Sequence, residues 1–530
     1  MKPIGLGGNS PHVCIIGAGI SGLRTADILL QEGFQVTILE ARDRVGGRLH
    51  QSEKLGQLVD LGANWIHGTE RNPVVDIAKA TNTATAACSA VYSIFDDTGR
   101  YMEQEKARTL YETVWSILNE AYQYSAKESA SIAPTARMID FFRDRVRDDS
   151  EHDEETKRLL VQIIEMWGAF IGTECEKQSL RYFWLEEGID GDNLFVASTY
   201  QAIVKYIASP AFDGAALSLD SEVISIRSMD EEAIEVTTAS GQDIMFDAVV
   251  VTSPLGWLKH NKAAFVPPLP SRIESAIEKI GVATLEKVFV TFPKAFWSPL
   301  GGVDRFTDYG NNDYQEAATD RFPIESLFLK PTYADSTNPQ QWRQEMVSLA
   351  SLPQPFAHPT VYFYVYGEWG AYITRLVRGL DTESAEYYSI MQHHFEPYYS
   401  LLPRYDCGSP DCTPVAFLHS DWQNDPLAGH GSYVNFQTGI KDAAHDVESL
   451  RQGLPERRIW FAGEHTAPFT GLGTVPGAYW SGERAARQVV EAFSAPITNG
   501  DTGNHRGRRL DINEDPHRHY LRGRTPEPRA

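Results

Sequence analysis

Hydrophobic and polar positions alternate early in the chain in a way that predicts strand, helix and strand in quick succession. His12–Ile16 is a short apolar run of buried-strand type, Ser21–Glu32 spaces its apolar residues at a helical period, and Gln35–Glu40 reads as a second strand. From about Thr109 to Ala208 the pattern is mainly helical. Within it "RDRVRDDSEHDEETKRLL" mixes acids and bases as a solvated helix pair does. From Val223 the period switches to two: "EVISIRS", a turn at "MDEEA", "IEVTT", a turn at "ASGQ", then "DIMFDAVVVTSP". This predicts a β-meander that returns to a buried strand at Ala248–Thr252. "KVFVTF" and "TVYFYVYG" mark a second β-rich region. Ser298–Pro359, between them, is rich in Pro, Asn and Asp and shows no period, so a long irregular segment or lid is expected there. The last strand–turn–helix is "RIWFAGEHTAPFTGLGTVPGAYWSGERAARQVVEAF". After Phe493 the chain turns polar and basic, reads as a disordered tail, and does not end in S-K-L.

Composition narrows the function classes. A chain of 530 residues exceeds a single simple core, so two domains are expected. The formal net charge of −23 argues against nucleic acid or an anionic membrane as the main partner and mildly favours a cationic substrate. Five cysteines (Cys14, Cys88, Cys175, Cys407, Cys412) are too few and too scattered for a disulfide scaffold. Cys407 and Cys412 flank "GSPD", and a reduced pair is the expectation. The N-terminal residues lack the apolar core of a signal peptide, no N-x-[ST] sequon occurs, and no run of about 18 apolar residues is found. Together these predict a soluble, intracellular protein, assigned to the cytoplasm.

The chemistry begins at "GAGISG". Gly17, Gly19 and Gly22 follow a strand and open a helix, where backbone N–H groups and the helix dipole meet a pyrophosphate. Glu40, 18 residues after Gly22, ends the second strand, placed to accept from ribose hydroxyls. On these residues alone the dinucleotide is NAD or FAD.

The residues after Glu40 decide between the two. "EARDRVGGRLH", with Arg42, Gly46, Gly47 and Arg48, resembles the second signature of FAD-dependent amine oxidases. "DLGANWIHG" resembles the stretch beside the flavin ring in that family, "FAGEHT" with "GTVPGAYWSGERAA" the closing flavin motif, and "DWQNDPLAGHGSYVNF" the segment that sets an aromatic, here Trp422, beside the isoalloxazine. Four motifs in the family's order identify the chain as a member, nearest the polyamine and spermine oxidases.

The resemblance implies an α/β architecture: a Rossmann-type FAD-binding domain from 11–80, 216–262 and 415–495, interleaved with an α+β substrate-binding domain from 81–215 and 263–414, with 496–530 outside both. It implies non-covalent FAD and no metal. As cofactor contacts it carries over Gly17, Gly19, Gly22, Glu40, Arg42, Gly47, Arg48 and Val223, and farther along Trp422, Glu464, Thr474 and Val475. Lys287 in "LEKVFVTF" corresponds to a lysine that holds a water against flavin N5, and His67 to a histidine facing the substrate amine. Glu187, with Asp190 close behind, lies where related oxidases place a tunnel acid. His465 and His430 are expected to be structural. The implied partners are a small-molecule amine, cationic in character, and O2. The implied reaction takes a neutral amine to an imine, which water hydrolyses, while O2 is reduced to H2O2.

The sequence also departs from the family. Thr474 stands where some members close an aromatic cage with tyrosine, leaving Tyr433 or another aromatic to substitute. Ser432 stands near the cysteine that binds flavin covalently in monoamine oxidases, and Pro476 where the polyamine branch often has histidine. Two alternatives therefore stay open. One is an amine or L-amino-acid oxidase of secondary metabolism, the latter wanting an arginine for the substrate carboxylate. The other is a non-catalytic scaffold of the same fold.

Overall fold

The computed structural model describes residues 10–87, 93–229, 233–298 and 322–494. Cys88, the tip of the "MDEEA" turn, residues 299–321 of the long segment and the basic tail lie outside the described residues.

The first strand, His12–Ile16, is at the centre of a five-stranded parallel sheet. In spatial order the sheet runs Ile459–Phe461, Ala248–Val251, His12–Ile16, Gln35–Leu39, Ala216–Ser218. Strands covered on both faces need continuous apolar runs, and "VCII" and "AVVV" supply them, with Val13, Cys14, Ile15, Val249, Val250 and Val251 fully buried. The helix Ile20–Gln31 connects the first two strands, and Leu23, Ala26 and Leu29 pack it against the sheet. Each such fully buried leucine contributes about 1.5–3 kcal/mol. The last described helix, Val475–Ser494, lies against this first helix; Ser21 and Ser481 meet at 3.0 Å between their hydroxyls. The first and last described helices thus close one layer.

The meander is as the period-two pattern predicts. Val223–Ser228, Ile234–Thr238 and Asp243–Phe246 pair antiparallel, and the chain returns to the buried strand Ala248–Val251. A separate six-stranded mixed sheet runs Ala416–His419, Leu285–Thr291, Thr360–Tyr366, Gln344–Ser348, Glu325–Phe328, Ser93–Phe95. Its registers place Lys287, Tyr364, Glu345 and Leu327 opposite one another in a single row across four strands. The helices Gln104–Glu128, Met138–Asp148 and Glu154–Ile164 stack beside this sheet around Leu110, Phe142 and Leu160.

One expectation needs correcting. Ser298–Pro359 is not irregular throughout: Glu325–Phe328 and Gln344–Ser348 are interior strands of the mixed sheet. Their sequences, "ESLF" and "QEMVS", bury Glu325, Gln344 and Glu345, so they lack the apolar run that marks a central strand. The Thr109–Ala208 stretch is mainly helical as its pattern predicts, with 3₁₀ turns and a short strand, Leu194–Val196, between Cys175 and Thr199 before the helix Gln201–Gly214. Among the described residues no helix is long and apolar enough to cross a membrane.

Candidate active site

A cavity of about 820 Å³ starts at the carboxyl ends of the central parallel strands and reaches the mixed sheet. Ligands of open α/β sheets bind at this end of the strands, where the helix N-termini also point. At the dinucleotide end, Gly17 has φ +104°, and its N–H donates to Leu39 O at 2.8 Å. A Cβ on Gly22 would lie 2.1 Å from Gly17 O, whereas one on Gly19 would meet nothing within 4 Å. The turn is therefore tight behind and open in front, at a helix N-terminus with no side-chain cap. Glu40 is buried, its carboxylate accepting from Ala18 N at 2.7 Å and Arg42 N at 2.9 Å. Together the unfilled space at Gly19, the uncapped N–H groups and the carboxylate fit an ADP-containing group.

Arg42 and Arg48 both line the cavity and both are held by carboxylates: Arg42 by Asp425 at 2.7 Å, and Arg48 by Glu464 at 3.0 Å. Arg48 also donates to Ser432 O. Gly47, Val223 and Val475 are cavity wall. Thr474 lines the cavity too, but its hydroxyl caps the final helix, accepting from Gly477 N at 3.1 Å while donating to Gly471 O at 2.7 Å. The hydroxyl of Tyr433 is likewise committed, to Phe170 O at 2.7 Å, so its ring is what faces the cavity.

Lys287 stands where the two sheets meet. Its Nζ donates to Asp60 O at 3.0 Å and to Gly62 O, and lies 5.3 Å from the centroid of the Tyr362 ring. Trp422 Nε1 takes the intervening carbonyl, Leu61 O, at 3.2 Å. Three consecutive carbonyls are thus pinned by two side chains from the mixed-sheet side. Only glycine fits at 62, because a Cβ there would fall 1.6 Å from Arg48 O. An ammonium has three donors, so one N–H of Lys287 remains for the cavity. Burial pushes the lysine pKa down and that of its neighbour Asp60 up, each opposed by the charge of the other. Asp60 is held by Gln51 Nε2 at 2.6 Å and Tyr200 N at 3.1 Å.

Beside Lys287 the buried Glu286 ties its strand to the Trp422 loop, accepting from Ser420 Oγ at 2.6 Å and Gln423 N at 2.9 Å. Burial raises its pKa to about 7. The folded protein therefore keeps a proton that the unfolded chain releases near the ordinary value of 4.5. This contribution to stability is complete below 4.5 and lost as pH rises through about 7. Glu286→Gln is expected to flatten the fall in melting temperature across that window; an unchanged slope in a pH series of thermal melts would assign the effect to other groups.

His67 lines the cavity, to which its side chain is exposed. Burial lowers its pKa, against a hydrogen bond with Asn193 that raises it, so the ring is neutral at neutral pH. Glu187 and Asp190 line the same part of the cavity, and burial first, then Asp190, raises the Glu187 pKa. His430 and His465 do not line the cavity. Both ring nitrogens of His465 are buried without a hydrogen-bond partner among the described residues.

Several residues of the site were not singled out in the sequence. Asn64, Tyr362 and Tyr364 form a polar cluster on the lysine wall: Asn64 Nδ2 donates to Tyr362 OH at 2.6 Å, and Tyr364 OH donates to Asn64 Oδ1 at 3.2 Å. Glu186, whose pKa burial raises to about 7, and the pair Glu325 and Glu345 are cavity acids. Only their positions in strands and turns reveal them.

The chain belongs to the flavin-containing amine oxidoreductases, whose family model matches residues 20–490. It is an oxidoreductase of α/β fold in a family of flavin-dependent amine oxidases. Among its relatives are polyamine oxidase 3 of Oryza sativa subsp. japonica, 27% identical over 506 residues (92% of this chain, 91% of the relative), and polyamine oxidase 2 of Arabidopsis thaliana, 27% identical over 504 residues (91% and 90%). A third is the peroxisomal N(1)-acetyl-spermine/spermidine oxidase of Bos taurus, 25% identical over 529 residues (91% and 95%).

Proposed function

We propose that the protein oxidises an amine, polyamine or related, to an imine with non-covalently held FAD, that O2 is reduced to H2O2, and that water hydrolyses the imine. The observation that carries this reading is Lys287, pinned by two carbonyls beside the dinucleotide cradle with one N–H left for the cavity. The glycine turn, Glu40, Arg48 and Glu464 would hold FAD, which would supply the two-electron acceptor when bound. Hydride loss requires a neutral amine, and His67, itself neutral, accepts a hydrogen bond from the amine N–H and holds it in that state. The ammonium of Lys287 orients water and stabilises negative charge developing on oxygen during its reduction. Trp422 and the ring of Tyr433 wall the site against bulk water.

An amino acid fits less well. The only arginines lining the cavity among the described residues are Arg42 and Arg48, both already paired at the dinucleotide end, while the remaining wall carries Glu186, Glu187, Asp190, Glu325 and Glu345. A scaffold role would leave the lysine arrangement without use. A peroxide-coupled screen of the purified protein against mono-, di- and polyamines, their acetylated forms and L-amino acids tests the reading; turnover of amino acids but no amine would sink it.

Ser432 supports dissociable FAD. Its hydroxyl accepts from Leu285 N at 2.9 Å and donates to Leu285 O at 2.8 Å, and no described cysteine lines the cavity. Acid precipitation is expected to leave a colourless pellet with all flavin in the supernatant; a yellow pellet would contradict it.

A further inference from the structure

Asp60 is buried and does not line the cavity, so it touches neither the dinucleotide end nor the substrate end of it. It pairs with Gln51 in the short antiparallel ladder of Gln51–Ser52 with Val59–Asp60, and the Gln51 amide donates to its carboxylate at 2.6 Å. The backbone N–H of Tyr200 donates to the same carboxylate, 3.1 and 3.3 Å from its two oxygens. Tyr200 opens the helix Gln201–Gly214 and supplies no side-chain cap there. The Asp60 carboxylate is therefore placed at a helix N-terminus, where the dipole favours an anion. Two donors and a helix end all support its charged form, in a place where burial opposes it.

The backbone of the same residue holds Lys287, whose direct contacts (Asp60 O, Gly62 O and the face of the Tyr362 ring) are all uncharged. A buried ammonium needs an opposing charge as well as dipoles. Most ionisable groups around it do not supply one. Burial raises the pKa of Tyr362 and Tyr364, on the neighbouring strand, and lowers that of His419, on the other neighbour, which is bonded to Tyr387 OH. Glu286, adjacent on the strand, is turned to Ser420 and Gln423, and Glu345 stands beyond Tyr364 on the lysine's row. Burial raises the pKa of these two acids to about 7 and about 8. The Asp60 charge is the one that raises the lysine pKa against the burial that lowers it.

We propose that Asp60 is a positioning residue for the reaction with oxygen: its carbonyl aims Lys287 at the cavity, and its carboxylate, acting through the lysine, keeps that side chain an ammonium at neutral pH. This rests on the amine oxidase reading and assigns a residue outside the cavity to its oxygen half-reaction. The sign follows from the lysine. The ammonium is present below the lysine pKa and lost as pH rises through it, and the oxygen rate falls over the same interval. Removing the negative charge of Asp60 lowers the lysine pKa, so the fall moves to lower pH.

The test uses Asp60→Asn, nearly the same shape, whose amide the Gln51 side chain can meet with either end of its own. Holoenzyme is photoreduced under nitrogen without any amine and mixed with oxygen across a pH series. The variant's oxygen rate is expected to fall at a pH at least about one unit below the wild type's, a tenfold change in the acidity of the lysine, with the two rates converging toward the acid end. A fall at the wild-type pH overturns the proposal, as does a rate lowered by one factor at every pH, which would leave Asp60 a structural acid. Thermal melts at neutral pH give a readout free of flavin chemistry. Losing one charge strands the other, so Asp60→Asn combined with Lys287→Met is expected to melt a few degrees above the sum of the two single losses; additive losses overturn the coupling. Should Asp60→Asn fail to fold alone, a folded double variant is the supporting result and an unfolded one the overturning result. Neither measurement uses an amine. A protein that oxidises no amine yet shows the shifted profile and the coupling refutes the amine oxidase reading and leaves this assignment standing.

Discussion

With Lys287 replaced by methionine, the substrate-reduced enzyme is expected to react with oxygen at least about a hundredfold more slowly, with reduction by substrate much less affected. The factor is that of removing one preorganised electrostatic contact from developing charge in a dry site. Methionine keeps the length of the side chain, so the buried strand Leu285–Thr291 is not perturbed by a cavity. What is lost is a charge, two hydrogen bonds to Asp60 O and Gly62 O, and the remaining N–H toward the cavity. Stopped-flow mixing of the reduced enzyme with oxygen separates the two half-reactions. An unchanged oxygen rate would strip Lys287 of its role in oxygen reduction and leave it a backbone clamp. The Asp60–Gly62 loop has a second anchor in Trp422, so a folded, coloured variant is expected.

The second large effect separates two glycines that one motif treats alike. Gly22→Ala forces a methyl to within 2.1 Å of Gly17 O, a backbone atom that cannot turn aside. The strand–turn–helix must open, which costs about 1–3 kcal/mol or more and should yield protein that melts several degrees lower and is purified largely colourless. Gly19→Ala meets nothing in the protein, and its methyl stands in the space left for the cofactor. Its expected outcome is an unchanged melting temperature for the flavin-free protein and a weakened affinity for FAD. Equal behaviour of the two variants, in melting and in FAD titration, would refute the division of labour drawn for this turn.

Legibility in the sequence followed how the polar groups are used. The parallel-sheet layer was readable because its demands are local: apolar runs for strands, glycine at fixed offsets, Glu40 at a strand end. The meander was readable for the same reason, since one of its faces is buried and the other wet. The strands Glu325–Phe328 and Gln344–Ser348 were not, because Glu325 and Glu345 face a cavity and the buried Gln344 takes the other face, where a core strand would carry valine. Lys287 was singled out by resemblance alone; its hydrogen bonds to Asp60 and Gly62 span more than two hundred residues of sequence, and no local pattern encodes them. The hydroxyls of Thr474 and Tyr433 illustrate the reverse: both residues line the cavity, yet each hydroxyl is spent on backbone.

The row of Lys287, Tyr364 and Glu345 across the mixed sheet has a consequence for how such a protein changes over time. Neighbouring strands are held about 4.8 Å apart by their ladder, and side chains return to one face only every second residue, about 6.6 Å along the strand. An acid moved by a single position would point to the opposite side of the sheet. The distance between any two side chains of this wall therefore has only a few permitted values, so substitution can remodel the wall only in jumps of one strand or one residue pair.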